Sequence, residues 1–141
     1  DAFLANGGAR TLASYGYFES EDPDPLRFKL PPAHEDFYRA LQLHHRDGDY
    51  LFVHAGIGSQ LLGERDLDYA LKHARCEDLL WDRSCIDLPH ELGVTVVYGH
   101  TPNLDFQVRR NLPFSIGIDT GAVYGGPLTA IRLPDETLFQ V

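Results

Sequence analysis

Residues 94–102 read VTVVYGHTP, and this stretch decides the class of fold. Its first five residues form a short unbroken run of β-branched and apolar side chains, typical of a strand buried on both faces. The run leads straight into a turn that carries His100. Residues 50–53, YLFV, repeat the pattern and lead straight into His54. Two buried strands that each end at a histidine indicate an open α/β sheet.

The two strand-end histidines are candidate metal ligands. An open α/β sheet places its ligand groups at the carboxyl ends of its strands, so His54 and His100 can converge on one ion. Neutral imidazole is also the commonest metal ligand in proteins. The alternative is that each ring is a hydrogen-bonded structural residue.

Helical patterns surround these strands. Residues 1–16 suit two short helical pieces broken by a glycine pair at 7–8, and the proline-rich residues 16–32 suit a surface loop. The apolar spacing after the proline pair 31–32 predicts a helix over 33–45. A further helical pattern lies within 57–80.

Two more strands are predicted near the end of the chain. Residues 114–118 and 128–133 have the composition of strands, and the glycine-rich stretch 119–126 joins them. We expect residues 119–121, Asp-Thr-Gly, to form a tight turn in which glycines provide permissive backbone angles.

Composition excludes several classes of protein. With 141 residues, of which 43% are hydrophobic, the chain predicts one domain at most with a real core, and excludes a disordered tail. No apolar run reaches the length of a membrane span and no signal peptide opens the chain, so we expect a soluble protein without a membrane partner.

Charge and cysteine content narrow the setting. The formal net charge is −9, which argues against a nucleic-acid partner because no basic stripe is present. The two cysteines, Cys76 and Cys85, suggest neither a disulfide framework nor a zinc ribbon, and we expect small core side chains in a reducing cytoplasm.

Four ordered motifs carry a resemblance to a known family. They are LFVHAGI (51–57), LLWDR (79–83), YGHTP (98–102) and IDTGAVYGGPLTA (118–130), preceded by NGG (6–8) and TLASYG (11–16). In this order they closely resemble the C-terminal half of bacterial phosphoprotein phosphatases, which are serine/threonine protein phosphatases. That family belongs to the calcineurin-like metallophosphoesterases, which also include the symmetrical diadenosine tetraphosphate hydrolases.

The resemblance implies a fold and an activity. Residues 1–141 would form the C-terminal portion of one metallophosphoesterase domain, a four-layer α/β/β/α sandwich. The implied activity is hydrolysis of phosphate monoesters by a water activated at a binuclear metal centre. The GAVYGG turn and the N-terminal glycine pair favour a phosphorylated protein as substrate. A dinucleoside polyphosphate substrate, or a non-catalytic binding module derived from a phosphatase, stays as an alternative.

The resemblance also assigns roles to residues. His54 and His100 match the two histidines that ligate one of two divalent ions, expected to be manganese, with iron, zinc, nickel or cobalt also compatible. Arg83 matches the catalytic arginine that binds substrate phosphate, as a guanidinium fork can. Tyr124 is a further candidate for flanking the phosphate. The other histidines match no ligand motif and are expected to be solvated: His34, His44, His45, His73 and His90.

The family's first three motifs do not occur in the chain. G-D-x-H-G, G-D-x-x-D-R-G and G-N-H-[ED] would supply the ligands of the other ion, the bridging aspartate and the catalytic histidine. The expectation is therefore half of a metal site. The missing N-terminal half of the domain would come from polypeptide outside this sequence or from a second chain, unless the protein is a remnant that no longer catalyses.

Overall fold

The computed structural model describes residues 3–18, 28–84 and 86–141, which fall into two units, Asp1–Leu41 and Gln42–Val141. The first unit holds a π-helical turn, Leu4–Gly8, and two helices, α1 (Ala9–Ser14) and α2 (Pro32–Ala40). The π-helical turn is kinked where Asn6 and Gly7 leave helical backbone angles. The prediction of two short helical pieces broken at the glycine pair is confirmed.

The predicted helix over 33–45 is too long. Helix α2 ends at Ala40, and Leu41 already has extended backbone angles. Residues 44–45 instead belong to a strand, because they pair with the buried strand that follows them. Of the predicted surface loop 16–32, residues 19–27 lie outside the described part of the chain.

The second unit is built on a five-stranded sheet. Its strands are β1 (His44–Asp47), β2 (Tyr50–Val53), β3 (Thr95–Tyr98), β4 (Arg109–Asn111) and β5 (Ser115–Gly117), in the order β1-β2-β3-β5-β4. The central strands β2, β3 and β5 run parallel, whereas β1 and β4 are antiparallel edges. Strands β6 (Thr129–Arg132) and β7 (Thr137–Gln140) form a separate antiparallel pair.

Short helices connect the strands of this unit. Helix α3 (Leu67–His73) begins at Asp66, whose carboxylate accepts a hydrogen bond from the Tyr69 N–H at 3.0 Å, as a good N-cap does. Helix α4 spans Cys76–Trp81, and single 3₁₀ turns span Ser59–Leu61 and Ala122–Tyr124. Cys76 is exposed, contrary to the expected core position, and Cys85 lies outside the described residues.

One apolar core joins the sheet to α3 and α4. Every second side chain along β2 and β3 packs against residues of the loops and helices that connect the strands. This burial is the main source of stability for the unit. The buried cluster is Leu51, Val53, Ile57, Leu61, Leu67, Ala70, Leu79, Ile86, Leu92, Val94, Val96 and Tyr98.

The mixed sheet with its helices confirms the α/β class in its general form. The four-layer sandwich stays a prediction, since the described strands form one five-stranded sheet and one separate pair. Within the described part of the chain, no helix combines the length and the apolar character needed to cross a bilayer.

Candidate metal and phosphate site

Three adjacent parallel strands bring the candidate residues together at the carboxyl ends of the strands, which lie at one end of the sheet. Strand β2 is followed directly by His54, and strands β3 and β5 are followed, each after one further residue, by His100 and Asp119. Backbone hydrogen bonds tie these ends together, from the Gly99 N–H to the His54 carbonyl at 3.0 Å and from the Ile118 N–H to the Tyr98 carbonyl at 2.9 Å. The expected convergence of the strand ends at His54 and His100 is confirmed, and the end that carries Asp119 lies beside them.

The two strand-end histidine rings are in contact. His54 Nε2 lies 3.0 Å from His100 Nδ1, with the ring centroids 4.8 Å apart. His100 has a φ of +64°, a left-handed conformation that is uncommon for residues other than glycine. Such backbone strain is concentrated at functional sites, where the surroundings hold it in place.

The other ring nitrogen of His100 lacks a partner. His100 Nε2 is buried and has no hydrogen bond among the described residues, and the same holds for the neighbouring Thr101 hydroxyl. Buried polar atoms are normally paired because leaving one unpaired costs about 1–3 kcal/mol. These two atoms belong to consecutive residues. They mark a place where a bound ligand can supply the missing hydrogen bonds.

The charge state of His100 suits a metal ligand. Burial lowers the pKa of this imidazole, electrostatic interactions with Arg83 and His54 lower it further, and Asp119 opposes them. His100 is therefore neutral at pH 7, and only a neutral imidazole can donate a lone pair to a metal.

The separation of the facing nitrogens fits two ligands of one ion. Two nitrogens that are each about 2.1 Å from a metal lie about 3 Å apart when they subtend a right angle, and the observed distance is 3.0 Å. Among the described residues, however, no group of three or more His, Cys, Asp or Glu side chains is placed to hold an ion. The pair offers two ligands of a larger set, and metal ligation by His54 and His100 stays a prediction.

Helix α4 delivers Arg83 to the same end of the sheet. The Ala55 N–H, just after His54, donates to the Leu79 carbonyl at 2.8 Å. Asp82 accepts a hydrogen bond from the Gly58 N–H at 3.3 Å and one from the Ser84 N–H at 2.9 Å. These bonds fix the end of α4 against the loop that follows β2.

Arg83 is exposed, and no salt bridge to it is found in the described part of the chain. Its positive charge contributes to the lowered pKa of His100. A cation at this end of the sheet counters the negative charge of an acidic chain. The phosphate-binding role of Arg83 stays a prediction.

The loop after β5 is a tight turn, as predicted. The Asp119 carboxylate accepts a hydrogen bond from the Gly121 N–H at 3.0 Å, and Gly121 and Gly125 have φ values of +71° and +94°. Tyr124 follows in the 3₁₀ turn and is 70% exposed. No hydrogen bond or ring contact between Tyr124 and either histidine is found among the described residues, and its role at the phosphate stays a prediction.

The remaining histidines do not all behave as expected. The prediction that His90 is solvated is wrong: it is 9% exposed, and its Nε2 lies 2.9 Å from the Phe114 carbonyl. His34 lies 2.8 Å from the Tyr15 hydroxyl, whereas His73 stacks on Tyr69.

One residue of the site was given no role in the sequence analysis. The Trp81 ring lies 5.4 Å from the His100 ring, perpendicular to it. The available signal was its position two residues before Arg83 in the LLWDR motif.

Comparisons with known proteins show what the chain resembles. No family model matches it. The bis(5'-nucleosyl)-tetraphosphatase PrpE [asymmetrical] of Oceanobacillus iheyensis is 29% identical over 144 residues, which cover 96% of this chain and 55% of that protein. The corresponding protein of Bacillus cereus (strain AH820) is 31% identical over 151 residues, which cover 98% of this chain and 57% of the relative.

A third relative matches over a shorter segment. The symmetrical bis(5'-nucleosyl)-tetraphosphatase of Janthinobacterium sp. (strain Marseille) is 53% identical over 47 residues, 33% of this chain and 16% of the relative. The chain thus spans little more than half the length of the PrpE proteins that it matches. These relatives are dinucleoside tetraphosphatases, and their names do not support the preference for phosphorylated proteins.

Proposed function

We propose that this chain is the C-terminal portion of a metal-dependent phosphoesterase domain that hydrolyses dinucleoside polyphosphates. The observation that carries the proposal is the histidine pair, whose facing nitrogens, His54 Nε2 and His100 Nδ1, lie 3.0 Å apart. The similarity to tetraphosphatases supports this substrate class over phosphorylated proteins. We expect a soluble enzyme that acts in a bacterial cytoplasm.

His54 and His100 would hold one divalent ion of a binuclear centre. Manganese is the expected metal, and two imidazoles also suit iron, zinc, nickel or cobalt. A bound ion would lower the pKa of a water molecule and neutralise charge that develops on the phosphate oxygens. The remaining ligands would come from an N-terminal portion of the same domain, as the length of the relatives suggests.

Arg83 would bind and orient the phosphate under attack. Its exposed guanidinium can form two parallel hydrogen bonds to phosphate oxygens, which hold the phosphorus for attack by water opposite the leaving group. Water adds to the phosphorus, the bond from phosphorus to the bridging oxygen breaks, and the leaving nucleotide departs with that electron pair. Solvent takes up the proton released by the attacking water.

The local positive charge of the site makes this substrate acceptable. A dinucleoside tetraphosphate is a polyanion, and the chain carries a net charge of −9. Arg83 and the bound ions would counter the repulsion at the point where the phosphates bind. Tyr124 is proposed to flank the phosphates from the loop after β5.

The product of the complete reading frame, assayed with Mn²⁺, tests the proposal. Diadenosine tetraphosphate should be cleaved with a higher kcat/KM than a phosphoserine peptide. His54→Ala and His100→Ala should each abolish turnover, whereas His73→Ala, a matched histidine outside the site, should not. A preference for the phosphopeptide would contradict the substrate class, and full activity of both site variants would contradict the metal site.

A further inference from the structure

Trp81 is an exposed aromatic residue in contact with the candidate metal pair. It is the only tryptophan of the chain, it is the last residue of α4, and it is 58% exposed. Its ring meets the His100 ring at 90°, with 5.4 Å between centroids. A perpendicular contact occupies at most one face of the indole, and more than half of the residue's surface stays exposed to solvent.

The backbone that carries the indole is anchored at the end of α4. Leu79, two residues earlier, is 1% exposed within the core, and its carbonyl accepts the Ala55 N–H. Asp82, the next residue, is hydrogen-bonded to both Gly58 and Ser84. The backbone of Trp81 is therefore held between two anchored residues.

The surroundings of Trp81 match the two parts of a nucleotide. The indole contacts His100, and Arg83, an exposed cation that can bind phosphate, follows two residues later in the chain. The indole itself offers an apolar π surface, on which any of the nucleobases can stack. A phosphorylated serine or threonine has no flat apolar group to use such a surface.

We propose that Trp81 is a stacking surface for a nucleobase of the substrate, which extends the site from phosphate binding to nucleoside binding. The inference rests on the proposed function for its substrate class. Trp81 acts in binding and not in the chemical step. Truncating it should therefore weaken binding of base-carrying ligands and leave base-free polyphosphate unaffected.

The fluorescence of the single tryptophan tests stacking without any catalysis. The measurement is made at pH 8, with excitation at wavelengths that adenine does not absorb. AMP should quench the Trp81 fluorescence of the 141-residue chain in a saturable manner. Tripolyphosphate, which has charge but no base, should not. Equal effects of the two probes, or no effect of AMP, would overturn the proposal, even if the protein proves to be a phosphoesterase.

Kinetics of the complete gene product provide the second test. Trp81→Leu should raise KM for diadenosine tetraphosphate by about 10-fold or more with kcat little changed, and should leave the inhibition constant of tripolyphosphate unchanged. Trp81→Phe, which keeps a smaller aromatic surface, should restore much of the loss.

Tyr69 provides a matched control, because it is 51% exposed and stacks on a histidine of α3 outside the site. Tyr69→Ala should change neither constant. An equal loss toward both ligands in Trp81→Leu, or a Phe variant no better than Leu, would show that Trp81 is only structural. Absence of any nucleotide hydrolysis by the wild type would contradict the proposed function, while the quenching result would still decide the stacking.

Discussion

At the scale of single residues, His100 combines two unfavourable features. Its backbone is in the left-handed region, and its Nε2 is buried without a partner. Features of this kind cost about 1–3 kcal/mol each and are retained where function requires them. Its Nδ1 faces His54 Nε2 at 3.0 Å, and an ion held by these two nitrogens in the folded state only would stabilise the chain.

We therefore expect a divalent metal to raise the thermal unfolding temperature of the chain. A ligand present at about 100 times its dissociation constant stabilises a protein by about 2.7 kcal/mol. Ni²⁺ and Mn²⁺ can be titrated while unfolding is followed by circular dichroism. His54→Ala and His100→Ala should lose the effect, and His73→Ala should keep it. Equal stabilisation in all three variants would assign the binding to another place.

Replacement of Arg83 tests phosphate binding. In the complete gene product, Arg83→Ala should lower kcat/KM for diadenosine tetraphosphate by about 10²-fold or more and raise KM, because a charge-assisted bidentate contact is lost. Arg83→Lys should recover only part of the loss, since lysine cannot form the planar fork. Unchanged kinetics would identify Arg83 as an ordinary surface charge.

His90 predicts a pH dependence of stability that is independent of the site. Its Nε2 lies 2.9 Å from the Phe114 carbonyl, and its Nδ1 accepts from the Leu92 N–H at 3.4 Å, so only the neutral ring satisfies both bonds. Burial lowers the pKa of His90 below its ordinary value. The unfolded chain therefore binds the proton more readily, and the folded state loses stability as the pH falls.

This contribution is fully present above about pH 6.5, the ordinary pKa of histidine, and is lost as the pH falls through the lower folded pKa. Urea unfolding of the wild type should give a smaller free energy at pH 5.5 than at pH 8. His90→Gln can still donate to a carbonyl but does not titrate in this range, so its stability should change less. Parallel pH profiles of the two proteins would refute the assignment.

At the scale of elements, α4 and the loop after β2 behave as one piece. Asp78 is buried and accepts two hydrogen bonds from Arg75, at 2.8 and 2.6 Å, and one from Gln60. The bonds from Arg75 are the main cause of its lowered pKa. Gly58 fits against this carboxylate with a φ of +77°, and a Cβ there would lie 2.7 Å from it.

Gly58→Ala should consequently destabilise the chain more than alanine at Gly48 or at Gly63, two glycines with open space around them. Its backbone conformation is accessible almost only to glycine, and forcing alanine into it lowers the stability of the folded chain by about 1–3 kcal/mol. The close contact of the new Cβ with Asp78 adds to this loss. Gly48→Ala has a positive φ but open space, and Gly63→Ala has neither problem. Urea denaturation should rank the losses in that order, and a Gly58 variant as stable as the Gly63 variant would contradict the packing described.

The elements also show which parts of the fold could be predicted from sequence. Strands β2 and β3 were predicted correctly because their apolar runs reflect burial, which is a local property of composition. Strands β1 and β4 were missed because HHRD and RRN have no strand pattern. They form through hydrogen bonds to the buried strands beside them, and such pairing is not encoded in the segment itself.

The site divides along the same line. His54 and His100 were identified because His54 directly follows a buried run and His100 follows another after a single glycine. The contact between Trp81 and His100 and the burial of His90 depend on how α4 and the loop before β3 pack, and tertiary packing has no signature in a short window of sequence.

At the scale of the whole molecule, the described residues could provide only part of the proposed catalytic centre. They hold two facing imidazoles and no cluster of three or more candidate ligands. Neither imidazole can bridge two ions as a carboxylate does, and a single weakly held ion cannot stabilise both the attacking and the leaving oxygen.

The 141-residue chain alone should therefore hydrolyse no phosphoester above background, even with excess Mn²⁺. A p-nitrophenyl phosphate assay beside the complete gene product measures this. Metal-dependent turnover by the chain that both His54→Ala and His100→Ala abolish would show that these residues assemble a working centre, for example between two copies.

The two edge strands of the five-stranded sheet have a consequence for aggregation. Strands β1 and β4 are only four and three residues long and carry mostly charged or polar side chains. Short, polar edges are poor templates for adding a strand from another molecule, whereas long apolar edges seed cross-β fibrils. If concentrated samples of this chain associate, the assemblies should form through exposed side chains and not by extension of the sheet, and they should leave thioflavin T dark.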